Sequence, residues 1–134
     1  MRMQDGENRF NPPYLDSFHG ALAHDYRLMR RDRGFLCLPE VDLGVPSTPG
    51  MAALIQARLT PQAAHDAIAS GRRLTATNGL AVGWLDGIED EDALLPAAID
   101  RASGLAGKRG ETLAALKHGL YGPVLVALDD ASGG

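Results

Sequence analysis

Ala21-Leu22-Ala23-His24-Asp25-Tyr26-Arg27-Leu28-Met29-Arg30-Arg31-Asp32-Arg33-Gly34-Phe35-Leu36-Cys37-Leu38-Pro39-Glu40-Val41-Asp42-Leu43-Gly44 changes local character twice within a short span. Tyr26 to Met29 alternates in polarity and predicts a short strand. Phe35-Leu36-Cys37-Leu38 is a compact apolar run bounded by Gly34 and Pro39, which predicts a buried strand. Between them, Arg30 to Gly34 contains Asp32 and Gly34 and predicts a hairpin link. Glu40 leaves the apolar run directly after Pro39, so its carboxylate stands beside a hydrophobic interior. That setting suits general acid–base work. The other local reading is that Glu40 caps or hydrogen-bonds the loop around it. Asp42, two residues on, points elsewhere in an extended chain, which argues against a carboxylate dyad.

Downstream, Pro39 to Gly50 holds three prolines and two glycines in twelve residues, too many for a continuous helix or central strand. Val41, Leu43 and Val45 predict that this loop is ordered. Helical periodicity resumes from Met51 through Leu54, Ile55 and Leu59. Thr60-Pro61 restarts a helix, with the hydroxyl as cap and proline in the first turn, and Gly71 stops it after Ser70. Arg72 to Thr75 reads as extended, and Thr77 as the cap of a short helix to Ala81, closed by Gly83. Trp84-Leu85-Asp86 follows as a short strand. Leu94, Leu95, Ala98, Ile99 and Ala102 form a helical apolar stripe, with Pro96 requiring a late start or a kink. A last helical region, Glu111 to Leu128, is interrupted at Gly119 and Gly122-Pro123, and Asp129–Gly134 is expected to fray. Upstream, Asn11-Pro12-Pro13 starts a helix carrying Tyr14, Leu15, Phe18 and Leu22. The pattern is poor in strands, with three or four short ones against five or more helices.

The 134 residues are 45% hydrophobic and 22% charged, which fits one globular domain. Its 16 glycines and 8 prolines make it richer than average in chain-breaking residues, and the Pro39–Gly50 loop absorbs several of them. No apolar run is long enough to span a bilayer. Met1 to Glu7 lacks the apolar core of a secretory signal, so a cytoplasmic location is expected. The formal net charge is −4 and aromatics are 5%, leaving little to attract a polyanion or stack on bases. Neither nucleic acid nor membrane is expected as a partner. The one basic cluster is Arg27, Arg30, Arg31 and Arg33, broken by Asp32.

Few other side chains suggest chemistry. His19, His24, His65 and His118 have no metal-ligand spacing, so no metal site is expected. Cys37 is the only cysteine, which excludes a disulfide framework and predicts a buried, inert thiol. No serine sits in a nucleophile elbow, and no glycine-rich phosphate loop is present. Arg72-Arg73 and Lys108-Arg109 read as solvated ends of elements unless a phosphate-bearing ligand is argued separately.

The stretch Ala21–Gly44 resembles the crotonase superfamily, within it the Δ3,Δ2-enoyl-CoA isomerase-like branch of the enoyl-CoA hydratase/isomerase family. The resemblance continues through Thr48-Pro49-Gly50-Met51, Gly71-Arg72-Arg73, Ala81–Asp86 and Leu116-Lys117-His118-Gly119-Leu120-Tyr121. Asn8–Pro12 and Leu15–Phe18 are similar to the family's N-terminal strand-to-helix passage. It implies an α/β chain with a partial crotonase-like (ClpP/crotonase) fold, a reduced sheet and a helical C-terminal region. As one shortened domain, 1–134 divides into an N-terminal strand/helix remnant (1–20), a core with the catalytic-type loop (21–86) and C-terminal helices (87–134).

The resemblance also implies acyl-CoA thioester chemistry without a cofactor. Two backbone N–H groups hold the thioester oxygen, and a glutamate at the position of Glu40 moves a proton from C2 to C4. Lys117 is implied as a contact to a CoA phosphate, and assembly as a homo-oligomer, a trimer, is implied by the C-terminal helices. The family's long segment with both oxyanion donors is not found between the two blocks, which adjoin at His19-Gly20. His19 stands where a hydratase places its second glutamate. A positioned base without those donors implies low turnover, so a non-catalytic interaction or assembly module is the other reading.

Overall fold

The computed structural model describes residues 20–131. The helix expected from Pro13 to Phe18, His19 and the tail 132–134 lie outside the described residues. Residues 20–22 are helical and lead into β1 (Leu28–Arg30). Then come α1 (Glu40–Leu43), α2 (Pro49–Arg58), α3 (Pro61–Ser70), α4 (Ala76–Ala81), β2 (Gly87–Glu89), α5 (Glu91–Leu105), a 3-10 turn (Ala106–Lys108) and α6 (Glu111–Ala131).

Threonines start the three middle helices. The hydroxyls of Thr48, Thr60 and Thr75 accept from the N–H groups of Met51, Ala63 and Asn78 at 3.2, 3.1 and 3.2 Å, each satisfying an orphan donor of the first turn. Proline follows in the first turn of α2 and α3. The cap of α4 is thus Thr75, not Thr77. Gly71 closes α3 at φ +61°, a left-handed conformation that glycine adopts without a Cβ clash.

β1 and β2 pair in parallel, with Leu28 opposite Gly87, Met29 opposite Ile88 and Arg30 opposite Glu89. This corrects the expected hairpin. Arg30–Gly34 turns the chain away from β1, and the return to the sheet comes only after α1–α4 have crossed over. The Phe35–Leu38 run is not a strand either: only Leu36 pairs, by reciprocal hydrogen bonds of 2.9 and 2.8 Å with Leu74. Cys37 and Leu38 are buried as expected, Leu38 within the main core cluster. The second strand lies at Gly87–Glu89 rather than Trp84–Asp86, because Trp84 and Leu85 turn into the core.

The core gathers Leu22, Leu38, Leu54, Ile55, Leu74, Trp84, Leu85 and Val124 with the alanines of α3. The tightest helix contact joins α2 to α6. A Cβ at Gly50 would stand 2.7 Å from Leu128 Cα and 2.9 Å from the Ala127 carbonyl oxygen, so the two backbones approach where only glycine fits. That packing explains a second correction: α6 runs unbroken through Gly119, Gly122 and Pro123. Burial of its inner face outweighs the ~3 kcal/mol that an interior proline costs. α5 starts early, at Glu91, and also carries Pro96 inside. Its stripe is not buried; Leu95 and Ile99 face solvent.

Candidate active site

The loop after the apolar run forms one helical turn, α1, with Pro39 as N-cap and Gly44 closing it at φ +70°. Its first residue, Glu40, is 6% exposed, and both carboxylate oxygens are enclosed. The Glu40 carbonyl accepts from Val45 N–H at 3.1 Å, which ties the loop exit back onto the helical turn. α1 packs on α3, and the Asp42 carboxylate and Val41 reach toward Gly71 at its end. Asp42 therefore faces away from any shared carboxylate site.

Cys37, 4% exposed, lies beside this turn. Burial pushes its thiol up, the carboxylates of Glu40 and Asp42 push the same way, and the Arg73 guanidinium opposes them. A thiol raised in this manner ionises later in the folded than in the unfolded chain, so stability falls as pH rises past the ordinary thiol range. Alkylation by iodoacetamide at pH 8, followed by mass spectrometry, is expected to be at least about tenfold slower in buffer than in urea. Equal rates would contradict the inert-thiol assignment.

Lys117 is elsewhere. It projects from α6 toward the 23–25 turn, where its ammonium donates to both Asp25 carboxylate oxygens at 2.7 and 2.9 Å. It lines a cavity of about 330 Å3 between that turn, α2 and α6. Glu40 is not among that cavity's walls. Of the paired basic residues, Arg72 bonds the Asp66 carboxylate at 2.7 Å and Arg73 stacks 4.5 Å over the Phe35 ring.

Two arginines organise the turn between the first helical residues and β1. Arg58 Nε donates to Leu22 O at 3.0 Å, Nη2 to the carbonyls of His24 and Asp25 at 2.9 and 3.0 Å, and Nη1 to the Tyr121 hydroxyl at 2.6 Å. Arg27, 9% exposed, donates through Nε to the Trp84 carbonyl, and its backbone N–H reaches Asp86 at 2.8 Å. Burial lowers the Arg27 guanidinium, and the nearby Arg58 charge adds to this, with Asp86 opposing. Local sequence does not reveal this network, since the Arg58 partners lie 33 to 63 residues away. One signal existed: Arg58 is the only lysine or arginine between Gly34 and Arg72.

No protein-family model matches the chain. Enoyl-CoA delta isomerase 3 of Arabidopsis thaliana is 34% identical over 106 residues, covering 75% of this chain and 44% of that protein. The chain thus spans less than half the length of this relative. Among solved structures, an enoyl-CoA hydratase from Mycobacterium marinum superposes with a TM-score of 0.76 at 22% identity, over 85% of this chain and 50% of that one. Human mitochondrial delta3-delta2-enoyl-CoA isomerase also gives 0.76, at 19% identity, over 81% and 43%. This chain shares its fold with about half of each of these structures.

Proposed function

The chain belongs to the crotonase superfamily, in its enoyl-CoA hydratase/isomerase family, and from that premise we propose that it acts on an enoyl-CoA thioester with Glu40 as proton shuttle. Glu40 takes a proton from C2 of a 3-enoyl-CoA and returns one to C4, moving the double bond to the 2-position. Acyl-CoA is the substrate and no further cofactor takes part. Lys117 would meet a CoA phosphate. The observation that carries the reading is the enclosure of the Glu40 carboxylate at the exit of the apolar run. Enclosure holds the carboxylate beside the apolar run rather than in bulk solvent.

The enolate needs donors at the thioester oxygen, and removal of one such donor costs about 3–4 kcal/mol in comparable sites. Slow turnover is therefore the expected behaviour of this chain alone. The test follows formation of conjugated 2-enoyl-CoA from 3-hexenoyl-CoA, with circular dichroism to check folding. Glu40→Gln is expected to lower the rate by about a hundredfold. Identical rates in the two proteins would end the proton-shuttle assignment.

The helices support a second reading, a non-catalytic assembly module. α5 has no buried residue, and α6 presents Leu116 and Leu120, one turn apart, at 62% and 69% exposure beside the buried Val124. Such exposed leucines extend the apolar surface of α6 beyond the stripe it buries, and they suit the homo-oligomer that the family resemblance implies. Light scattering across a concentration series is expected to show self-association that Leu116→Lys/Leu120→Lys abolishes. A monomer at every concentration would end this reading.

A further inference from the structure

The cavity between α2, α6 and the 23–25 turn has the build of an amphiphile site. Its floor is apolar, formed by Leu54 from α2 with Val124 and Leu128 from α6. Its rim is cationic: Arg58 and Lys117 carry two permanent positive charges against the single carboxylate of Asp25, with His118 alongside. The donors at the rim are not used up. The Lys117 ammonium has three N–H groups and gives two bonds to Asp25, at 2.7 and 2.9 Å. The Tyr121 hydroxyl accepts from Arg58 at 2.6 Å, which leaves its own proton to donate outward. The rim thus offers an N–H and an O–H donor under net positive charge, above an apolar floor.

We propose that this cavity binds an aliphatic carboxylate, with its head at Lys117 and Tyr121 and its chain along Leu54, Val124 and Leu128. The volume of about 330 Å3 takes on the order of ten carbons at the packing density of protein interiors, and it falls in the range of small-ligand sites. The complementarity is one of charge. An alcohol of the same length fills the floor but leaves the rim uncompensated, and an alkylammonium ion is repelled by it. Because Glu40 is not part of the cavity, the inference does not rest on the isomerase reading, and it shares only Lys117 with it.

The test is isothermal titration of the full chain with decanoate below its micellar concentration. Saturable binding to a single site is expected, weakened about tenfold by Lys117→Met, in keeping with loss of one charge-assisted bond. Ala114→Trp, at an exposed position on the cavity wall, is expected to abolish binding while leaving the circular dichroism unchanged. Decanol is expected to bind at least tenfold more weakly, and decyltrimethylammonium not at all. Any one of three results would overturn the proposal: no saturable binding of decanoate, binding indifferent to Ala114→Trp, or equal binding of all three amphiphiles. Titration with 3′,5′-ADP tests the CoA reading separately, since that nucleotide has no tail to enter the cavity.

Discussion

Trp84→Ala is expected to lower the free energy of unfolding by about 3–5 kcal/mol, a large part of the 5–15 kcal/mol typical of a domain. Trp84 is 2% exposed and is the largest fully buried side chain among the described residues. It sits where α4 ends and the chain turns toward β2, with its N–H on Gly79 O at 2.9 Å and its carbonyl accepting from Arg27. Removing the indole leaves a void walled by helices that cannot close on it, so the loss combines transfer and cavity terms. Trp84→Phe keeps an aromatic ring in the site and removes less volume. The indole Nε1 is buried with no acceptor among the described residues, so phenylalanine gives up volume but no hydrogen bond, at an expected cost of about 1–2 kcal/mol. Urea unfolding read by circular dichroism measures both, because Trp84 is the only tryptophan and its fluorescence is lost with it. Equal losses for the two variants would show that the indole volume is not what the core depends on.

Arg58→Met is expected to cost about 3 kcal/mol, with the apolar stem kept so that the loss belongs to the guanidinium. Four bonds from one planar group hold three carbonyls of the 22–25 turn and the hydroxyl of α6. Two of these bonds are exposed to water, so the sum is well below four fully buried charged bonds. Without the guanidinium, α2, α6 and the entry to β1 lose their common anchor. Arg58→Lys keeps the charge but not the fork, and is expected to recover less than half of the loss. Tyr121→Phe removes one bond and is expected to cost about 1 kcal/mol. Tryptophan fluorescence in a urea titration resolves the series. Full recovery by lysine would mean that charge, and not geometry, holds the turn.

Legibility followed the range of each interaction. Thr60 and Gly71 announced helix ends correctly because a cap bonds within three or four residues of itself. Thr75 was displaced by one candidate, Thr77, since two hydroxyls two apart offer the same local signal. Pro123 misled for the converse reason: proline's penalty is local, whereas the packing of α6 on α2 through Gly50 that overrides it joins residues far apart in the chain. The family pattern around Glu40 and Lys117 was visible in the residues, but not that the cavity beside Lys117 leaves out Glu40.

Local chemistry in the chain was enough to set the ends of α3, the scarcity of strands, the burial of Cys37, and the family to which the pattern belongs. These depend on capping, periodicity and the cost of exposing an apolar run, all of which act over a few residues. Folding in three dimensions decided the parallel pairing of Leu28–Arg30 with Gly87–Glu89, the unbroken course of α6, and the gathering of Arg58, Lys117, Asp25 and Tyr121 around one cavity. Each of these joins residues dozens of positions apart. No local propensity encodes such contacts; they form as the core around Leu38, Trp84 and Val124 closes.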